Sequence, residues 1–340
     1  MAIVKLYKRD FEENAKVIVS HKDLCVEIKK YASGIESLTI KNSKGHVEVL
    51  PFMGQIIWDV VFNGKSLKLH NIFDMPRPAK TIIDTYGCFA FHSGLLANGC
   101  PAPDDTHPMH GEFSITDIHE AYLEIEENSI KVVSKCNYCQ GFGFHYIAKP
   151  SVSLESEASC IDIDLEVENL TASPMPLQYM CHMNYAYFDN AKITSNIPDS
   201  AFKLRESIPS HVHPTEKWLA YNEQLKELQK EGKTLSVLNE KQMYDPEIVF
   251  MADGVDKYAE DAHFEMDCGD GDVCFTEYKT SDFPCATRWI MYNPDLKVAA
   301  FVLPATCRPE GFNAAKKAGT LIYLQSGERK HFHVKTGIKA

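Results

Sequence analysis

Ile161-Asp162-Ile163-Asp164-Leu165-Glu166-Val167-Glu168 alternates four aliphatic residues with four acids. A period of two turns one face to a core and the other to water, which is the pattern of an antiparallel strand with a wet side. The carboxylates here read as a solvated face and not as catalytic acids. Upstream, short segments rich in Val, Ile and aromatic residues recur at 17–19, 24–28, 35–40, 47–50, 55–62, 121–126, 130–134 and 142–147, bounded by Gly, Asn, Ser and Pro. Asn63-Gly64 marks a hairpin, since both residues tolerate the positive φ that such turns need. Downstream the pattern returns at 298–303, 321–324 and 331–334. One stretch departs from it: Trp218, Tyr221, Leu225 and Leu228 fall at helical spacing before Gly232, so a helix is expected near 215–231, packed on a sheet. Many strands and a single helix make this an all-β chain, a large sandwich, with no linker or repeat dividing residues 1–340 into more than one domain.

The composition narrows the function. A chain that is 44% hydrophobic and 24% charged has the make-up of a soluble globular protein. Its formal charge of -12 argues against a nucleic-acid partner, which calls for a basic face. The N-terminal residues lack the apolar core of a signal peptide, and no run approaches membrane-spanning length, so the expectation is a cytoplasmic protein with no membrane partner. Eleven cysteines without a secretion signal fit reduced thiols packed as small apolar residues. Cys136 and Cys139 form a lone Cys-x-x-Cys, and a structural zinc site needs a second pair.

The stretch 86–117 holds His92, His107, His110, Asp104, Asp105 and Glu112, and its glycines and prolines exclude regular structure for about twenty residues. A loop of that length in a compact fold is either functional or disordered, and the aromatic flanks Phe89, Phe91 and Phe113 argue for order. Two further constellations follow, Gln178-Tyr179-Met180-Cys181-His182-Met183-Asn184-Tyr185 and Pro304-Ala305-Thr306-Cys307-Arg308-Pro309-Glu310-Gly311.

With His110-Gly111, then His182 followed by Tyr185, Tyr187 and Phe188, then Gly327-Glu328 before a last strand, the sequence resembles the aldose 1-epimerases, or galactose mutarotases. It looks closest to a less characterised mutarotase-like branch marked by Gly94-Leu95-Leu96, His182-Met183-Asn184 and the 304–311 stretch. The resemblance implies a β-supersandwich whose concave face binds a small sugar and interconverts its anomers by acid and base, with no cofactor and no metal. Histidine suits the acid, because its ordinary pKa lies near neutrality. By the resemblance His182 is the general acid at the ring oxygen and His110 a hydrogen-bond donor that positions the sugar, so the two must converge on one cleft. Asp105, Gln178, Asn184 and Arg308 are candidates for the sugar hydroxyls on their chemistry, and Trp58, Trp289 or a tyrosine could stack on a sugar face.

The base is where this chain departs. In that branch a glutamate commonly precedes Pro-Ala-Thr, and here the residue is Leu303. Glu310, seven residues on, is the alternative base, although Arg308 beside it could make it an ion-pair partner. A sugar-binding protein that has lost its base is a second reading. A third is a cupin-like metalloenzyme acting on sugars, since His107, His110, Glu112, His331 and His333 resemble a cupin ligand set. The sequence leaves the oligomeric state open.

Overall fold

The computed structural model describes residues 1–210 and 212–339. Two antiparallel sheets, of nine and thirteen strands, carry the fold. In the first, Cys160–Asn169 lies between His145–Glu155 and Arg329–Ile338, with Ile161, Ile163, Leu165 and Val167 buried. Its acidic face is half-buried and paired: Lys149 Nζ lies 3.0 Å from Glu166 Oε1 and Arg329 Nη2 lies 3.0 Å from Glu168 Oε2. The alternation thus has the expected consequence, with cations from the neighbouring strands lying against the wet side.

The second sheet runs through Ile248–Asp253, Cys285–Tyr292, Lys297–Ala305, Met175–Met183, Ala90–Leu95 and Ile56–Phe62, and then through the N-terminal strands. One hydrophobic core draws on both sheets, joining Leu165 and Val167 to Leu177, Tyr179, Phe301 and Val302. Asn63 and Gly64 adopt φ of 53° and 76° and close the hairpin that the sequence marked. The expected strand at 142–147 begins later, at His145, because Phe142 takes a φ of 60° in the turn before it. Ala90–Leu95, inside the stretch read as a loop, is a strand, and no strand or helix follows it until residue 120.

Glu216–Lys230 is the expected helix. Thr215 caps it, its Oγ1 accepting from Trp218 N at 3.1 Å, and Trp218, Tyr221 and Leu225 are buried. A second helix, Phe312–Ala318, is a correction to the single-helix reading: Ala314, Ala315 and Lys316 are strong helix formers, but seven residues are too few for a hydrophobic period to show. Among the described residues no helix is long and apolar enough to cross a membrane. All eleven cysteines are free thiols, and Cys136 and Cys139 sit on one strand with the first buried and the second exposed.

Candidate functional site

The strands Met175–Met183 and Ala90–Leu95 pair so that His182 lies opposite Phe91. Alternation puts Gln178, Met180 and His182 on one face of the sheet. The long loop then crosses that face. His110 takes a φ of 62°, donates its backbone N–H to Gly99 O at 2.9 Å and accepts from Gly94 N at 3.0 Å. Gly111 follows with a φ of 77°, and a Cβ there would lie 2.2 Å from Ala97 O and 2.3 Å from Gly94 O. Only glycine fits this conformation and this approach of backbone to backbone.

This folding brings the two histidines together, with ring centroids 4.8 Å apart and planes at 87°. Ser93 Oγ donates to Asn98 Oδ1 at 2.6 Å and lies 3.0 Å from His110 Nδ1. With the hydroxyl proton committed to Asn98, His110 Nδ1–H is the donor to Ser93, and Nε2 is the acceptor of the neutral ring. His182 stacks on Phe91 at 4.5 Å, and its Nε2 is 3.5 Å from the Tyr86 hydroxyl. Burial, and then the neighbouring His110, pushes the His182 pKa well below the ordinary 6.5. The Asn184 side chain pulls the other way; its Oδ1 and His182 Nδ1 are both buried without a partner at hydrogen-bond geometry, so this contact is looser than a full hydrogen bond.

Sequence reasoning missed the carboxylate of this site, Glu247. Arg205 Nη2 donates to its Oε1 at 2.5 Å and Trp289 Nε1 donates to its Oε2 at 2.7 Å, while Trp218 Nε1 of the long helix donates to its backbone carbonyl at 2.7 Å. The helix therefore helps to seat the carboxylate. Trp289 also stands 5.8 Å from His182 and links the two groups. The available signal was a single acid directly before the apolar run Ile248-Val249-Phe250-Met251-Ala252.

These side chains line a cleft of about 490 Å³, with His110, His182, Glu247, Arg205, Tyr86 and Trp289 among its walls. Leu303, at the expected base position, lines it as well. The other sequence candidates lie outside its lining. Glu310 accepts from Ser207 Oγ at 2.6 Å and stands 3.8 Å from Arg308, while Pro309 between them lines the cleft. Arg308 is instead held by Asp253, through Nε at 2.9 Å and Nη2 at 2.6 Å. Asp105 braces the loop, accepting from Ala102 N and Asn313 N, each at 3.1 Å. Gln178 shares the face of His182 but is roofed over, its Oε1 accepting from Asn98 N at 2.8 Å. Asn184 donates to Cys88 O at 3.0 Å from beneath His182. Trp58 belongs to the core.

The cupin-type residues do not assemble. His333 Nδ1 and His331 Nε2 lie 2.9 and 3.3 Å from Asp164 on the nine-stranded sheet, and Glu112 is buried, accepting from Leu95 N and the Tyr146 hydroxyl. Among the described residues no three His, Cys, Asp or Glu side chains are grouped to hold a metal ion.

No family model and no curated protein matches the sequence. Solved structures do match in shape. A protein from Klebsiella pneumoniae, provisionally called an aldose 1-epimerase, superposes with a TM-score of 0.78 at 13% identity, over 99% of this chain and 91% of that one. An Escherichia coli K12 protein with the same provisional name gives 0.58 at 14% identity, over 96% and 99%. A galactose mutarotase-like protein from Clostridium acetobutylicum gives 0.60 at 15% identity, over 94% and 99%. The chain therefore has the galactose mutarotase-like fold.

Proposed function

We propose that the protein binds a reducing sugar in this cleft and interconverts its anomers. The observation that carries the reading is the meeting of two imidazoles and a buried carboxylate on one cleft walled by Tyr86 and Trp289. Glu247 takes the proton from the C1 hydroxyl, the electron pair forms the C1 carbonyl, and the bond from C1 to the ring oxygen breaks. Protonated His182 supplies the proton to that oxygen. The C1–C2 bond turns and the same transfers run backwards to close the other anomer, so no net proton is consumed. His110 orients the ring, and its edge-on approach to His182 tunes that residue's basicity. The test is α-to-β exchange of unsubstituted aldoses followed by NMR saturation transfer, with exchange above the spontaneous rate as the expected result.

One observation favours a second reading, in which the sugar is held without turnover: both oxygens of Glu247 already accept strong donors. Saturable binding with exchange at the spontaneous rate would select it.

A further inference from the structure

We infer that the sugar taken by this cleft is apolar at the end remote from its anomeric carbon, the simplest such compound being a 6-deoxyhexose. The inference rests on the cleft being a sugar site, and it follows from the division of its walls. Polar atoms are concentrated at His110, His182, Tyr86, Arg205 and Glu247. From there Met291 lies two residues past Trp289 on the same face of the strand, about 7 Å further on. Met291 begins a wall completed by Leu296, Ile72, Phe73 and Ile83.

That wall offers a sugar almost nothing to hydrogen-bond. Asn71 is its nearest amide, and each end is already committed to one internal bond: Nδ2 donates to Leu69 O at 3.2 Å and Oδ1 accepts from Phe73 N at 2.8 Å. Asp295, beside Leu296, is exposed and is the one carboxylate among the described residues in this part of the lining. Ile72 and Ile83, meanwhile, are 71% and 46% exposed while facing the cleft, so they have apolar surface that a ligand can cover. The floor beneath is Met180, Val249 and Leu303, where the resemblance led one to expect a carboxylate.

Chemistry then fixes which end of the sugar meets this wall. Ring opening needs a free hydroxyl on C1, so the apolar group cannot be an aglycone there. With C1 at His182 and Glu247, the apolar wall receives the far edge of the ring. A C6 hydroxyl set against Met291 and Leu296 would be stripped of water and gain no partner from those two side chains, whereas a C6 methyl loses nothing.

The test compares sugars that differ only at C6: D-galactose with D-fucose, D-mannose with D-rhamnose, and D-glucose with D-quinovose. Equilibrium binding and anomer exchange are measured separately on the full-length protein. The expected result is tighter binding and a higher kcat/KM for each 6-deoxy sugar, by about 10- to 100-fold. Ile83→Asn, at an exposed position, moves the ratio towards one. Equal or better binding of the 6-hydroxy sugars, or a preference unchanged by Ile83→Asn, overturns the inference even if exchange is catalysed. Preferential binding of the deoxy sugars without exchange upholds it while removing the proposed reaction. No binding of any of the six removes both.

Discussion

Replacing Glu247 by Gln separates the proton-accepting role proposed for this residue from its shape. The carboxylate receives two donors, Arg205 Nη2 on one oxygen and Trp289 Nε1 on the other. Glutamine has one acceptor oxygen, so one donor must face an amide N–H. The pair is largely buried, with Arg205 and Glu247 side chains 12% and 9% exposed. Removing one member of such a pair costs a fold about 2–4 kcal/mol, less than for a fully sealed ion pair. The reaction should suffer more, since loss of a general base lowers kcat by about 10²- to 10⁴-fold. Saturation transfer between the α and β H1 resonances reads the rate, and urea unfolding followed by circular dichroism reads the stability. Glu310→Gln is the paired control. Glu310 lies outside the cleft, and its 3.8 Å contact with Arg308 is a half-exposed ion pair worth about 0–1 kcal/mol. Glu310→Gln should therefore keep both rate and fold. Full exchange in folded Glu247→Gln, or its loss in Glu310→Gln alone, would refute the assignment and return the base to the residue suggested by sequence order.

The pH profile tests His182. Because burial and the neighbouring His110 drive its pKa well below 6.5, the protonated form needed as acid is already scarce at neutrality, so log kcat/KM should fall by about one per pH unit above 6.5 and still be rising as the pH drops below it; a plateau beginning near 6.5 would deny His182 that role. A buried histidine also couples stability to pH: His92, pressed down by burial to about 3, stays neutral when folded but protonates below 6.5 when unfolded. Acid therefore favours unfolding, and each pH unit below 6.5 costs about 1.4 kcal/mol for that residue, down to about pH 3. Glu112, raised by burial, acts in the opposite direction once its carboxyl protonates, so the measurement is a difference: His92→Gln should flatten the pH dependence of unfolding by up to one proton relative to the parent. Gly111→Ala meets two backbone carbonyls and should cost well over the roughly 1–2 kcal/mol of the left-handed conformation alone, whereas Gly64→Ala, with nothing within 4 Å, should cost only that; equal losses in thermal or urea unfolding would show that the loop yields.

The fold was legible because its signals are local. Alternation at 161–168 needs only a two-residue period, and the helix near 215–231 announces itself by spacing and by the glycine that follows. Site residues differ in how far their signal reaches. His110 and His182 stand out in sequence by their neighbours, and the structure brings them together because a strand and a loop with a glycine-only turn cross one face of a sheet. Glu247 has no such neighbours. Its position in the cleft depends on Trp218 from a helix, Arg205 from the segment before it and Trp289 from an adjacent strand, three contacts spread over about eighty residues of chain. Glu310 shows the reverse case. Its motif is prominent, yet Pro309 is the residue of that motif that lines the cleft, while Glu310 and Arg308 are held outside it by Ser207 and Asp253. Composition near a motif records which chemistry is available. Which face carries it is settled by the pairing of distant strands, and here that pairing sets a carboxylate beside the histidines through Trp289, 42 residues further along the chain.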